Sequence, residues 1–440
     1  PGHTTMNSSF AFAKSRRFAP LFATQFLGAF NDNLFKTTLF VLISFHGLGK
    51  SGWLPASQLL NVAALLFVLP YFLFSALSGQ LSSRFNKARL AQVVKVMEIA
   101  IMLLAAYGFY INSAPLLLLC LFLMGTHSTL FGPVKYAILP EYLQKDELIM
   151  GNGLIESGTF LAILFGQIIG TAIAGSHVAV LILMVVLLAA AGLVSSLFMP
   201  SVPPSEPQTR LDFNIVRGTK ALLRQTFAQN ELATAILGIS WFWFVGAVYT
   251  TQLPTFVQKV LGGGSGVFNL MLTLFSIGIA LGSVLCAKLS RGGLYLGMVA
   301  LGALGLTVCG GGLIYITHGL NGTGGENLSL FAFLTHGHAY AVVALMVGIG
   351  FFGGFFSVPL YTWLQTASSN EFRAHAIAAN NIVNGLFMVA AAIFSAVLLL
   401  ISDSTELLYL IVAAGNLPML VYLARRVPDL VRFKRRSAEH

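Results

Sequence analysis

The chain has 440 residues, 56% of them hydrophobic and 9% charged, with a mean hydropathy of +0.82. Soluble domains carry about 25% charged residues, so a soluble globular protein is excluded and a polytopic membrane protein is implied. The net charge of +10 would suit a nucleic-acid partner, but the basic residues cluster by membrane side, so no such partner is expected. Cys120, Cys286 and Cys309 lie in apolar segments without paired spacing and read as packing residues, not as a disulfide framework or a zinc site. No cofactor and no metal is expected.

In chain order, Pro1, Gly2 and His3 ahead of Met6 read as an expression scar (residues 1–5) on a cytoplasmic tail, 1–17. The apolar run 18–45 is too long, and too interrupted by polar groups, to be a cleavable signal. Inside it, QFLGAFNDNLFK (Gln25–Lys36) sets Asn31, Asp32, Asn33 and Lys36 among apolar residues. An aspartate at the middle of a membrane helix costs about 2.5–3.5 kcal/mol on insertion scales, so Asp32 requires a partner, a cavity or a function. Further spans are expected near 58–83, 88–111, 115–140, 149–174, 178–200, 231–260, 267–289, 294–318, 339–366, 374–401 and 405–425, twelve in all. They divide into a six-helix half at 18–200, a linker at 201–230, a second half at 231–426 and a basic tail at 427–440.

With the N-terminus cytoplasmic, that side receives 20 basic residues, against Lys50 and Lys259 on the other. The positive-inside rule then places both termini in the cytoplasm. The linker opens with VPPSEP, which cannot be membrane-buried, and continues as a basic amphipathic stretch. Phe213, Val216, Ala221, Leu222 and Phe227 face lipid or protein there, and Arg217, Lys220 and Arg224 face anionic headgroups.

The halves repeat. GQLSSRFNKAR from Gly79 matches GSVLCAKLSRG from Gly282, FGPVKY (Phe131–Tyr136) matches FSVPLY (Phe356–Tyr361), and NGLIES (Asn152–Ser157) matches NNIVNG (Asn380–Gly385). LGAFNDN in span 1 matches VGAVYTT in span 7, which sets Asp32 against Thr250 and leaves Glu156 against Asn384. Two six-helix repeats imply an alternating-access transporter with its site at the midplane.

Six ionisable residues lie within spans, all in the first half: Asp32, Lys36, Lys95, Glu98, Lys135 and Glu156. Asp32 with Lys36, four apart, and Lys95 with Glu98, three apart, share helix faces and are each placed to neutralise one another. The plain reading of such pairs is a packing bridge, which suits Lys95 and Glu98 better than Asp32, whose neighbours Asn31 and Asn33 are also polar. Lys135 and Glu156 have no partner at helical spacing and must pair across helices or with a ligand. The second half offers Thr250, Thr251, Gln252, Gln365, Asn380, Asn381 and Asn384, and aromatic runs at 241–244 and 351–356, a combination that suits an amphiphile better than a sugar. Any single one of those aromatics reads first as a core or lipid-facing residue. His127 reads as a hydrogen-bonded packing residue, and the spacing of His318, His336 and His338 is a weak imitation of a metal site.

GQLSSRFNKAR resembles the loop signature between spans 2 and 3 of the major facilitator superfamily: a glycine (Gly79), an acidic residue four on, then basic residues (Arg84, Lys87, Arg89). Here the acidic position is Ser83, so the carboxylate expected to latch the cytoplasmic gate is missing. QFLGAFNDN, FGPVKYAILPE with NGLIES, and GGFFSVPL with AIAANN together resemble the lysophospholipid transporter family of that superfamily, from about Phe18 to Arg426. The resemblance implies a twelve-helix, all-α major facilitator fold. It also implies a bacterial inner-membrane flippase carrying lysophosphatidylethanolamine and lysophosphatidylglycerol from the periplasmic to the cytoplasmic leaflet for reacylation.

It further implies headgroup roles for Asp32, Asn33 and Lys135, to which Lys36, Glu156, Thr250, Asn380 and Asn384 are added from the residue reading. Gly79, Arg84, Lys87 and Arg89 are assigned to gating. The family places a basic residue where Thr250 stands, so an ion pair from there to Asp32 is not expected, and Lys36 or Lys135 substitutes. An acyltransferase is the implied partner, beside membrane lipids. No His is followed five positions later by Asp, so the chain reads as the transporter alone, not an enzyme, and as a monomer. Two other readings stand: an ion-coupled carrier of a small amphiphilic drug or metabolite, with Asp32 or Glu156 as coupling carboxylate, and a non-transporting scaffold for a lipid-modifying enzyme.

Overall fold

The structure, a computed structural model, describes residues 10–320 and 327–436 except residue 53, so the expected scar at residues 1–5 lies outside the described residues. Long helices dominate it: α1 (Ala19–Phe45), α2 (Ala56–Arg84), α3 (Lys87–Tyr110), α4 (Ala114–Tyr142), α5 (Leu148–Ile173) and α6 (Val178–Leu197). The amphipathic linker helix α7 (Ile215–Phe227) follows, then α8 (Asn230–Phe256), α9 (Ser265–Leu289), α10 (Gly297–Thr317), the short α11 (Leu330–Leu334), α12 (Ala339–Ala367), α13 (Arg373–Ser402) and α14 (Thr405–Arg426). Among the described residues, eleven helices are long and apolar enough to cross a membrane. The twelfth is α1, whose 27 residues reach about 40 Å at 1.5 Å per residue; Asn31, Asp32, Asn33 and Lys36 reduce its hydropathy, not its length.

Polar side chains set the helix starts. Asn86 accepts from Ala88 N at 3.0 Å ahead of α3, Asn214 from Arg217 N at 2.9 Å ahead of α7, and Ser404 from Leu407 N at 3.1 Å ahead of α14. Each occupies a backbone donor that the first helical turn leaves unpaired.

The chain forms two compact units. One comprises Pro1–Gly151, Ala162–Gln229 and Gln365–Ile382; the other comprises Asn152–Leu161, Asn230–Leu364 and Val383–His440. In the first, Leu34, Phe35, Leu39, Met102, Leu117, Leu121, Met124, Leu181 and Val185 of α1, α3, α4 and α6 make a continuous apolar core. A Cβ at Gly125 would collide with the Phe67 carbonyl, so α2 and α4 touch backbone to backbone there.

In the second unit a Cβ at Gly282 would collide with the Phe351 carbonyl, a similar close approach of α9 to α12. Two residue pairs, Leu294 with Arg436 and Tyr295 with Arg435, form the antiparallel ladder of β1 (Leu294–Tyr295) and β2 (Arg435–Arg436). The tail is held further by Arg436 Nη1, 2.5 Å from Glu231 Oε1. Residues such as Val308, Tyr315, Leu400 and Ile401 are apolar and exposed, as helices facing lipid require.

Candidate functional site

The polar residues of α1 do not sit where simple spacing put them. Asp32 and Lys36 form no ion pair; the compensation expected between them is corrected by the packing of α4. Ser128 Oγ donates to Asp32 Oδ2, and His127 Nδ1 lies 4.0 Å from Asp32 Oδ1. Lys36 instead lies over the Phe67 ring, its Nζ 4.8 Å from the centroid, and makes no ion pair among the described residues. An ammonium over an aromatic face gains a cation–π attraction that needs no carboxylate.

One turn around α1, Asn31 is fully buried and its Nδ2 donates to Glu98 Oε1 at 3.0 Å. Lys95 Nζ reaches Glu98 Oε2 at 3.0 Å, which is the pair that the i, i+3 spacing called for. Both members are buried, at 0% and 1% side-chain exposure, and such a pair persists only with additional hydrogen bonds and good geometry. His127 completes the group: it is buried, with Nε2 3.2 Å from Glu98 Oε2 and Nδ1 facing Asp32. Small residues make the room, since a Cβ at Gly28 would stand 2.6 Å from Lys95 Nζ. The first unit therefore encloses a charged cluster drawn from α1, α3 and α4.

The remaining candidates divide by unit. In the first, Asn33 Nδ2 donates to Ala29 O within its own helix at 2.8 Å, and Lys135 Nζ lies 4.7 Å from the Tyr136 centroid. Asn380 is fully buried and neither amide atom has a hydrogen-bond partner. At the α2–α3 turn, Arg84 stacks on Phe85, Arg89 is exposed, and Lys87 is buried 3.5 Å from Glu141 Oε2 with its Nζ donating to Ser205 Oγ at 2.7 Å. A Cβ at Gly79 would meet Ala378 Cβ at 3.0 Å and the Ala374 carbonyl at 3.4 Å.

In the second unit Glu156 Oε1 accepts from Ser357 Oγ at 2.5 Å, Asn384 Oδ1 accepts from Ser240 Oγ at 2.8 Å, and Thr250 Oγ1 donates to Gly246 O at 2.8 Å. The aromatics of the runs at 241–244 and 351–356 largely pack on other rings: Trp243 stacks with Phe160 at 5.8 Å, Trp241 with Phe244 at 5.1 Å, and Phe351 packs on Phe355 at 5.0 Å. Trp241 Nε1 donates to Asn416 and Trp243 Nε1 to the Tyr361 hydroxyl, so both indoles are oriented by hydrogen bonds. Ser128, Glu141 and Glu206 escaped sequence reasoning. A hydroxyl beside the intramembrane His127 was the one signal for Ser128; the other two depend on long-range packing.

The Major Facilitator Superfamily profile matches residues 21–325. The chain belongs to the Major Facilitator Superfamily. As a member it is a multi-pass membrane transporter, and solved members share its fold: the human organic anion transporter MFSD10 (TETRAN) at a TM-score of 0.73 and 16% identity, over 93% of this chain and 99% of that one. The transporter FucP, in its outward conformation, follows at 0.69 and 13% identity, over 93% and 98%. Curated relatives named lysophospholipid transporter LplT include that of Klebsiella pneumoniae, 28% identical over 85% of this chain and 87% of its own length. The Escherichia fergusonii protein of the same name is 28% identical over 87% and 88%. The resemblance read from the motifs of spans 1, 4, 5, 10 and 11 is thereby borne out.

Proposed function

We propose that the chain is a lysophospholipid flippase of a bacterial inner membrane, with both termini cytoplasmic. It moves lysophosphatidylethanolamine and lysophosphatidylglycerol from the periplasmic to the cytoplasmic leaflet by alternating access, for reacylation by a cytoplasmic acyltransferase. The observation that carries this reading is the similarity, over 85% of the chain, to proteins bearing the lysophospholipid transporter name. The division into six-helix halves at the 201–230 linker belongs to the same proposal.

The chemistry of the first unit supports it. A headgroup of this class has a phosphate anion and, in the ethanolamine case, an ammonium. Lys36, without a carboxylate partner, and Lys135 are the cations for the phosphate. Asp32, held by one hydroxyl and faced by His127, is the anion for the ammonium, with Asn33 beside it. In the second unit, Glu156, Thr250 and Asn384 are the polar candidates, and Asn380 in the first offers an unsatisfied buried amide.

The test is uptake of labelled lysophosphatidylethanolamine into vesicles holding the full chain. Lys36→Ala and Asp32→Ala are each expected to cut flux about tenfold or more, the effect of ~1.4 kcal/mol, with the melting temperature preserved. Unchanged flux in both variants sinks the assignment. The second reading, an ion-coupled carrier, is favoured by His127 facing two carboxylates. Flux that persists with every ion gradient collapsed argues against it.

A further inference from the structure

The superfamily loop signature calls for an acid at Ser83, four residues after Gly79, and the structure shows where a carboxylate comes from instead. After α6 the chain does not hang free. Tyr142 donates its hydroxyl to Pro200 O at 2.5 Å, Val202 N donates to Asn86 Oδ1 at 3.3 Å, Lys87 reaches Ser205, and Asp212 N donates to Gln80 Oε1 at 2.7 Å. The linker is thus strapped along the end of α2 and the α2–α3 turn. In the middle of the strap, Glu206 N donates to the Ser83 carbonyl at 2.9 Å, which sets the Glu206 backbone directly beside the residue where the acid is missing.

The Glu206 side chain has a defined target. Its Oε1 lies 3.1 Å from His375 Nε2, and its Oε2 accepts from Thr209 Oγ1 at 3.0 Å. His375 stands in the first turn of α13, which also carries Arg373 and contains no acid. A helix N-terminus bears partial positive charge, so the first turn of α13, without an acid of its own, is a favourable place for the Glu206 carboxylate to meet the His375 ring. Arg373 is used otherwise, its Nε donating to Gln365 O at 2.9 Å, and the nearby Glu371 precedes the helix. Gly79 makes the same α2–α13 contact possible, because a Cβ there would press on Ala378 and the His375 Cα, the latter at 3.4 Å. Pro204 and Pro207 flank Ser205 and Glu206 and restrict the backbone, so the carboxylate is presented on a stiff segment. Ser83 itself is buried with its hydroxyl unpartnered, so the side chain at this loop position makes no hydrogen bond.

We propose that Glu206, carried by the linker, is the latch carboxylate of this transporter, taking the place of the acid absent at Ser83 and holding the first turn of α13 through His375. The linker then has a transport role: it completes the gate whose basic members are on the α2–α3 turn. The proposal rests on the alternating-access reading, and its test needs no substrate. In the full chain, reconstituted in vesicles of phosphatidylethanolamine and phosphatidylglycerol, Ser82→Cys places a buried thiol at the end of α2, and its alkylation by a water-soluble maleimide reports opening.

Relative to Ser82→Cys alone, Glu206→Gln, Glu206→Ala and His375→Gln are each expected to raise the labelling rate about threefold, the effect of losing one hydrogen bond to a carboxylate. Ser83→Asp added to Glu206→Ala is expected to return the rate to the starting value, which a strap that merely packs would not do. Glu206→Gln preserves size and the backbone bond, so it stands in if the alanine variant does not fold. Unchanged labelling in Glu206→Gln and His375→Gln, or no return with Ser83→Asp, overturns the proposal. Absent lysolipid flux in the parent chain, with the labelling pattern as expected, overturns the transport reading alone.

Discussion

At the scale of single residues, the molecule uses its intramembrane charges in two ways. Lys95 and Asn31 both bond the buried Glu98 carboxylate, and removing Lys95 takes away its ion-pair partner at 3.0 Å. Breaking such a pair costs about 3–5 kcal/mol. Lys95→Met is therefore expected to destabilise severely, as a loss of folded protein in size-exclusion chromatography, whereas the double change Lys95→Met with Glu98→Gln is expected to recover most of the loss. An equal loss in both would place the stability of α3 elsewhere. Lys36, by contrast, is balanced by an aromatic face and has no carboxylate partner, so Lys36→Ala is expected to leave the fold intact.

At the scale of elements, the ends of helices are tied by charges outside the membrane. Arg17, just before α1, makes two hydrogen bonds of 3.0 Å to the Glu147 carboxylate at the start of α5, and its Nη1 also donates to Tyr142 O. The Arg17 hydrogen bonds hold the Glu147 carboxyl below its ordinary value of 4.5 against the opposing effect of burial. A carboxylate depressed in the folded state stabilises above its unfolded pKa and loses that contribution as pH falls through the folded one. Melting temperature is accordingly expected to fall on acidification below about pH 4.5, and Glu147→Gln is expected to show a shallower fall over that window. Identical pH profiles would refute the role of this tether. The helix boundaries themselves follow from local chemistry, as the caps at Asn86, Asn214 and Ser404 show.

At the scale of the whole molecule, the asymmetry of basic residues predicts orientation. With an impermeant reagent, a cysteine introduced at Gly47 after α1 is expected to label in intact cells, and one at Gln208 in the linker only after the membrane is opened. Labelling of Gln208 in intact cells, with Gly47 protected, would reverse the orientation.

Much of this architecture was legible beforehand because each long helix must bury or expose an apolar surface of about 20 residues, a local property of the chain. Composition and hydropathy sufficed for the long helices, and motif spacing for the superfamily. The partners of Asp32, Lys36 and Glu206 were not legible. Helical spacing compares positions on one helix only, and Asp32 turned to Ser128 and His127 of α4 because that helix packs against α1 with a hydroxyl and an imidazole at its level. Ser83 marked a missing acid, but only folding could bring Glu206 to it from more than a hundred residues further along the chain. The sequence alone thus determined which segments are helices and which charges lie inside them. The tertiary structure decided which charges meet, because a buried ion is stabilised by whichever group the packing of other helices sets within a few ångströms, and that distance has no local code.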